Sequence, residues 1–244
     1  MKAWHVVLMV FLSLFSLIAP AQDAKADEIA AKVMTALGGQ ENYDNTRYLA
    51  WRFFGRRLHV WDKWTGNVRI EDGKGMTILM NINTKQGKAW QDGEPVQDET
   101  AIANALKQGY EMWINDSYWL VMPYKLKDPG VTLVYSGDRA MESGAMAHVL
   151  TLTFDSVGVT PQNKYEVFVN QDTHLVEQWS FFSTAEDPEP RFVNPWTDWK
   201  KHGNIMLSDN RGRWQHSDVG AYAELPESVF TDPAAIDLAT FTAL

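Results

Sequence analysis

The feature that most constrains this chain is a long succession of short segments with two-residue alternation, each ended by turn-forming residues. Leu49, Trp51 and Phe53 alternate with Ala50 and Arg52, and strand patterns follow over 57–62, 68–71, 76–82 and 88–91. Between them stand Trp64-Thr65-Gly66-Asn67, Asp72-Gly73, Lys85-Gln86-Gly87 and Asp92-Gly93, which supply the positive φ that hairpin turns require. The pattern resumes over 131–136, 147–154, 164–170 and 173–182, with Asn170-Gln171-Asp172 as the clearest hairpin turn, and shorter pieces follow near 196–199, 204–208 and 211–216. No repeat or linker composition divides the chain. A flat sheet of ten or more strands is unusual. The expected fold is therefore mainly β (α+β): a single strongly curved antiparallel sheet, an unclosed half-barrel, with helices on its concave side.

Two helices interrupt the strands. Residues 27–37 carry Ile29, Val33, Ala36 and Leu37 on one face, with Asp27 read as N-cap and Gly38-Gly39 as the stop. Farther on, Ile102, Ala105, Leu106 and Trp113 form one helical stripe. The stretch Asn115–Val131 follows, in which Tyr118, Leu120 and Met122 alternate with Trp119 and Val121. That run reads as a strand apolar on both faces, which must be covered twice.

The first 21 residues read as a secretory signal: Lys2, a thirteen-residue apolar run from Val6 to Ile18, and Ala19-Pro20-Ala21 as the cleavage site. The run is shorter than the roughly 20 residues that span a bilayer. Periplasmic export of a domain over 22–244 is expected. The chain has no cysteine, so a disulfide, a thiolate nucleophile, a Cys-ligated metal and a lipidated N-terminal Cys are all excluded. Its net charge is −9, one unit more negative without Lys2. Such a surface repels nucleic acid and anionic headgroups. Eleven tryptophans, all but Trp4 beyond the leader, signal a large apolar interior or a cavity.

Three stretches carry a resemblance: Ala36-Leu37-Gly38-Gly39-Gln40-Glu41-Asn42-Tyr43-Asp44, the run from Tyr118 to Val131, and Tyr165-Glu166-Val167-Phe168-Val169-Asn170-Gln171-Asp172-Thr173-His174-Leu175-Val176. Together they resemble an uncharacterised secreted bacterial family similar to the periplasmic lipoprotein-carrier (LolA/LolB-like) superfamily. The resemblance implies an unclosed, strongly curved β-barrel, partly plugged by helices, whose concave face binds acyl chains or other apolar ligands. It maps no single carrier residue onto this chain, which departs from the carriers in being acidic and rich in Trp.

Catalytic signals are sparse. His59, His148, His174, His202 and His216 show no zinc-ligand spacing, and there is no nucleophile elbow, P-loop or dinucleotide fingerprint. No metal and no cofactor is expected. On the inner faces expected of successive strands stand Trp51, Phe53, Ile78, Met80, Leu150, Leu152, Phe154, Trp179 and Phe181, joined by Trp113 from the helix. These ten are the candidate ligand-binding residues, with ordinary core as the alternative reading. The function expected is non-catalytic binding or carriage of a hydrophobic small molecule, acyl chain or lipoprotein by a monomer, compatible with peripheral membrane contact. Two alternatives are an envelope hydrolase using His216, Asp218 and Asp209, and an assembly or sugar-binding module using exposed Trp196 and Trp199.

Overall fold

The computed structural model describes residues 23–155 and 159–244; the leader expected over 1–21 lies outside them. Helix α1 (Ala24–Ala36) starts at Asp23, whose carboxylate accepts from the backbone N–H groups of Lys25 and Ala26, and not at Asp27. It stops where the sequence says it must. Gly38 has φ +106°, and a Cβ on it would lie 2.1 Å from the Asn204 carbonyl oxygen, so only glycine fits. A short α2 (Gln40–Asn45) leads into β1 (Tyr48–Phe53), β2 (Arg57–Asp62), β3 (Asn67–Glu71), β4 (Met76–Asn81), β5 (Gly87–Gln91) and β6 (Glu94–Pro95). Helix α3 (Glu99–Val121) runs on into a 3-10 turn at Met122–Lys125. Then come β7 (Val131–Ala140), β8 (Met146–Phe154), β9 (Lys164–Asn170), β10 (Val176–Phe182), β11 (Phe192–Pro195), β12 (Thr197–His202), β13 (Ile205–Arg211), β14 (Trp214–Gln215) and β15 (Ser217–Tyr222), and α4 (Ser228–Thr231) begins the tail.

The fold is mainly β, antiparallel and not closed into a barrel, as expected. Its hydrogen bonding divides the strands into three sheets where one curved sheet was anticipated: β15-β1-β2-β3-β4-β5-β6, β11-β10-β9-β8-β7 and β12-β13-β14. Strand β15 returns to pair with β1, Tyr48 opposite Tyr222. Alternation sets the two faces of β1. Leu49 and Trp51 enter a core shared with α1, the end of α3, β8–β10 and β13. Tyr48 and Ala50 turn the other way, under Leu225 and Val229. The first half of α3 packs through Ala105 on Val68, Ile70, Ile78 and Met80. Each large apolar side chain so buried contributes about 1.5–3 kcal/mol.

The strand expected at Tyr118–Met122 does not exist; α3 runs through Val121 and Met122 opens the 3-10 turn. A short, wholly apolar run fits a two-sided strand and an all-round buried helix equally well by pattern. Here the helix forms because every side of it finds cover. Leu120 and Val121 are fully buried in the main core, Trp119 packs edge-on against Trp179 at 4.5 Å, and Asp116 is anchored to β2.

Candidate functional site

Where the second half of α3 faces the second sheet, the packing leaves a cavity of about 570 Å³. Trp113, Ile114, Ser117, Tyr118 and Val121 present one helical face to it, Trp61 reaches in from β2, and Phe154, Tyr165, Trp179, Phe181 and Phe192 form the opposite wall. The rings brace one another. Tyr165 lies flat on Trp179 at 5.1 Å, and Trp61 meets Trp113 edge-on at 5.2 Å. The indole nitrogens of Trp61, Trp113 and Trp179 and the Tyr118 hydroxyl are sealed from solvent and make no hydrogen bond within the protein. The cavity surface is mostly apolar, with Asn115, Ser117, Thr160 and Asn163 as uncharged polar residues on it.

The charged residues on the cavity lining are Lys125 and Asp128, which pair with each other beside Pro129. Burial pushes the Tyr118 hydroxyl well above the usual phenol range, and burial also raises Tyr165. Both stay neutral at physiological pH.

A buried polar cluster fixes the helix that lines this space. The Asp116 carboxylate is fully buried. It accepts from Arg57 Nε at 2.7 Å and Nη2 at 2.8 Å, from His59 Nε2 at 2.7 Å and from Asn115 Nδ2 at 2.8 Å. Burial alone would raise the Asp116 pKa, but the His59 and Arg57 hydrogen bonds hold it below the usual carboxylate range. Burial lowers His59 despite Asp116 beside it, so the ring is neutral and donates through Nε2. At the other end, Arg211 Nη2 donates to the Trp119 carbonyl at 2.7 Å, one of the last carbonyls of α3, which lack helical partners. Buried Arg211 also lies over the Trp196 ring at 3.5 Å.

Of the ten residues singled out from the sequence, Trp113, Phe154, Trp179 and Phe181 line the cavity. Trp51, Leu150 and Leu152 lie in the main core, Phe53 packs on Phe54 and Trp119, and Ile78 and Met80 lie beneath the first half of α3. Sequence reasoning missed Trp61, Tyr118, Trp119, Tyr165 and Phe192. Tyr165 carried a usable signal, its alternation with Val167 and Val169. Tyr118 and Trp119 were obscured by the strand reading, and Phe192 by its proline-rich surroundings.

The residues of the hydrolase alternative do not assemble. His216 is buried and its Nε2 lies 3.3 Å from the Trp119 carbonyl. Asp218 accepts from Arg52 at 2.7 Å, and Asp209 from Lys200 at 2.5 Å. Trp196 is not exposed but fully buried, and Trp199 donates its indole N–H to the Val176 carbonyl at 2.9 Å, which removes the exposed pair a sugar would stack on. His148 pairs with Asp138 at 2.6 Å, away from the cavity. Among the described residues, no group of three or more His, Cys, Asp or Glu stands together as a metal site, and no helix is long and apolar enough to cross a membrane.

No protein-family model and no curated protein matches this chain. Among solved structures it is similar to a DUF1329 family protein from Desulfovibrio piger, with TM-score 0.43 and 10% identity over 84% of this chain and 96% of that one. A Pseudomonas aeruginosa MucA/MucB complex gives TM-score 0.26 and 15% identity over 65% of this chain and 51% of that one. MucB bound to MucA(peri) gives 0.25 and 11%, over 75% and 61%. The chain thus spans about half to three-fifths of the length of the chains it matches in the two MucB complexes. At these scores no property of those proteins passes to this one.

Proposed function

We propose that this is an exported, periplasmic, non-catalytic binding or carrier protein, and that its guest is a lipidic or similarly apolar molecule held in the aromatic cavity. The observation that carries the reading is the cavity itself: about 570 Å³ lined mainly by aromatic and aliphatic side chains, with the paired Lys125 and Asp128 as the charged residues on its lining. Ligand sites typically span ~300–1,000 Å³ with mostly apolar linings. An engineered apolar cavity of ~150 Å³ takes up benzene, so this one has room for roughly twenty carbon atoms. The signal sequence over 1–21 supports export, and the resemblance to lipoprotein carriers supports an acyl-chain guest. The buried Asp116, His59 and Arg57 cluster holds α3 in place, and none of the three lines the space.

The test is native mass spectrometry and solvent extraction of the mature protein purified after export. The expected result is a co-purifying lipid, or stoichiometric uptake of an added acyl probe. A protein that emerges empty and takes up no acyl probe contradicts the proposal.

A further inference from the structure

Outside the cavity, the first half of α3 borders a second hollow of about 600 Å³. Its apolar floor is Ile102, Leu106 and Tyr110, one stripe at four-residue spacing, with exposed Ala103 beside it. Tyr110 and Val159 border this groove and the cavity alike. We propose that the two volumes form one channel, which binds a linear single-chain amphiphile stretched along α3, its tail in the aromatic cavity and its head in the groove. The proposal rests on the reading of the cavity as a ligand site and adds the shape and head of the ligand.

Three observations carry it. The two spaces adjoin, with Tyr110 and Val159 on the border of both. The dimensions suit an extended chain: at 1.5 Å per helical residue, Tyr110 to Val121 spans roughly 16 Å and Ile102 to Val121 roughly 28 Å. A compact or branched guest fills the cavity and has no use for the groove, whereas a chain longer than the cavity has its exit there. Finally, the groove is edged by Lys85 and Lys107 together with Glu99 and Glu111, with Lys85 Nζ 4.4 Å from the centre of the Tyr110 ring. Two charges of each sign suit a zwitterionic head, which finds a partner for both of its charges, better than an anionic one.

The test is calorimetric titration of the mature protein with alkylphosphocholines from decyl to octadecyl, below their micelle concentrations. Affinity should rise about fourfold per added methylene to the longest member. Two variants block the groove: Leu106→Glu, and Ala103→Trp at an exposed position where the fold tolerates it. Both should bind the octadecyl compound at least tenfold more weakly than the wild type and flatten the gain in affinity along the series, while circular dichroism and the urea midpoint report that each is folded. Folded variants that track the wild type through octadecyl overturn the channel while leaving the cavity reading intact. Failure of every chain length to bind overturns both. Tighter binding of alkyl phosphates than of alkylphosphocholines overturns the assignment of the head.

Discussion

His216 gives the most quantitative prediction. It lies almost parallel to Phe54 with ring centres 5.3 Å apart. Burial, reinforced by the neighbouring Arg211 charge, lowers its pKa from 6.5 to about 3. The sign follows from linkage. Above pH 6.5 the imidazole is neutral in both the folded and unfolded chain, and its contribution to stability is intact. As pH falls below 6.5 the unfolded chain takes up a proton that the folded one refuses until about pH 3, so stability drops by about 1.4 kcal/mol per pH unit within that window. Between pH 7.5 and 4.5 His216 alone should cost about 2.7 kcal/mol. Urea denaturation of wild type and His216→Gln at both pH values isolates the term: the variant should lose about 2.7 kcal/mol less than the wild type over that interval. His59, also lowered by burial, remains in both proteins and cancels. If the variant loses as much stability as the wild type between the two pH values, the buried neutral imidazole is refuted.

Asp116→Ala leaves Arg57 and His59 without their shared acceptor. The expected loss is about 3 kcal/mol, the low end for breaking a buried ion pair, because Arg57 is 22% exposed and can hydrate; chemical denaturation measures it. Arg69→Met should release the C-terminal tail, since that buried guanidinium donates to the carbonyls of Val229, Asp232, Pro233 and Ala234. Hydrogen exchange beyond Pro226 should accelerate while the β8–β9 amides stay protected. Gly38→Ala should lose about 3 kcal/mol or more, combining an unfavourable positive φ with a clash against backbone, and a fall in Tm reports it.

Much of the fold was legible because its strands carry their period openly. The segment over 57–62 and that over 164–170 coincide with β2 and β9, since alternation and turn residues act locally. What failed was non-local. Nothing in Tyr118–Met122 distinguishes a two-faced strand from a buried helix, and the decision is made by distant partners: β2 through Asp116, the second sheet through Trp119 and Tyr118. The same error hid two residues of the cavity wall, because strand parity assigns Tyr118 and Trp119 to opposite faces whereas the helix turns both toward one space. The Asp116 cluster was equally invisible. Asp116 lies more than fifty residues from Arg57 and His59 across the helix–strand contact, and no local pattern announces their meeting. Strand β15 was missed for a related reason: its pairing partner is β1, at the other end of the domain.

The central claim is that the aromatic cavity takes up a lipid-like guest, and tryptophan quenching by an acyl chain brominated near its end tests it most directly. Bromine quenches only on close approach, and Trp61, Trp113, Trp119 and Trp179 all line the cavity. The expected result is saturable quenching at one chain per protein, reversed by the unbrominated chain and weakened in Trp113→Phe. Quenching that never saturates, or that the unbrominated chain fails to reverse, contradicts the account.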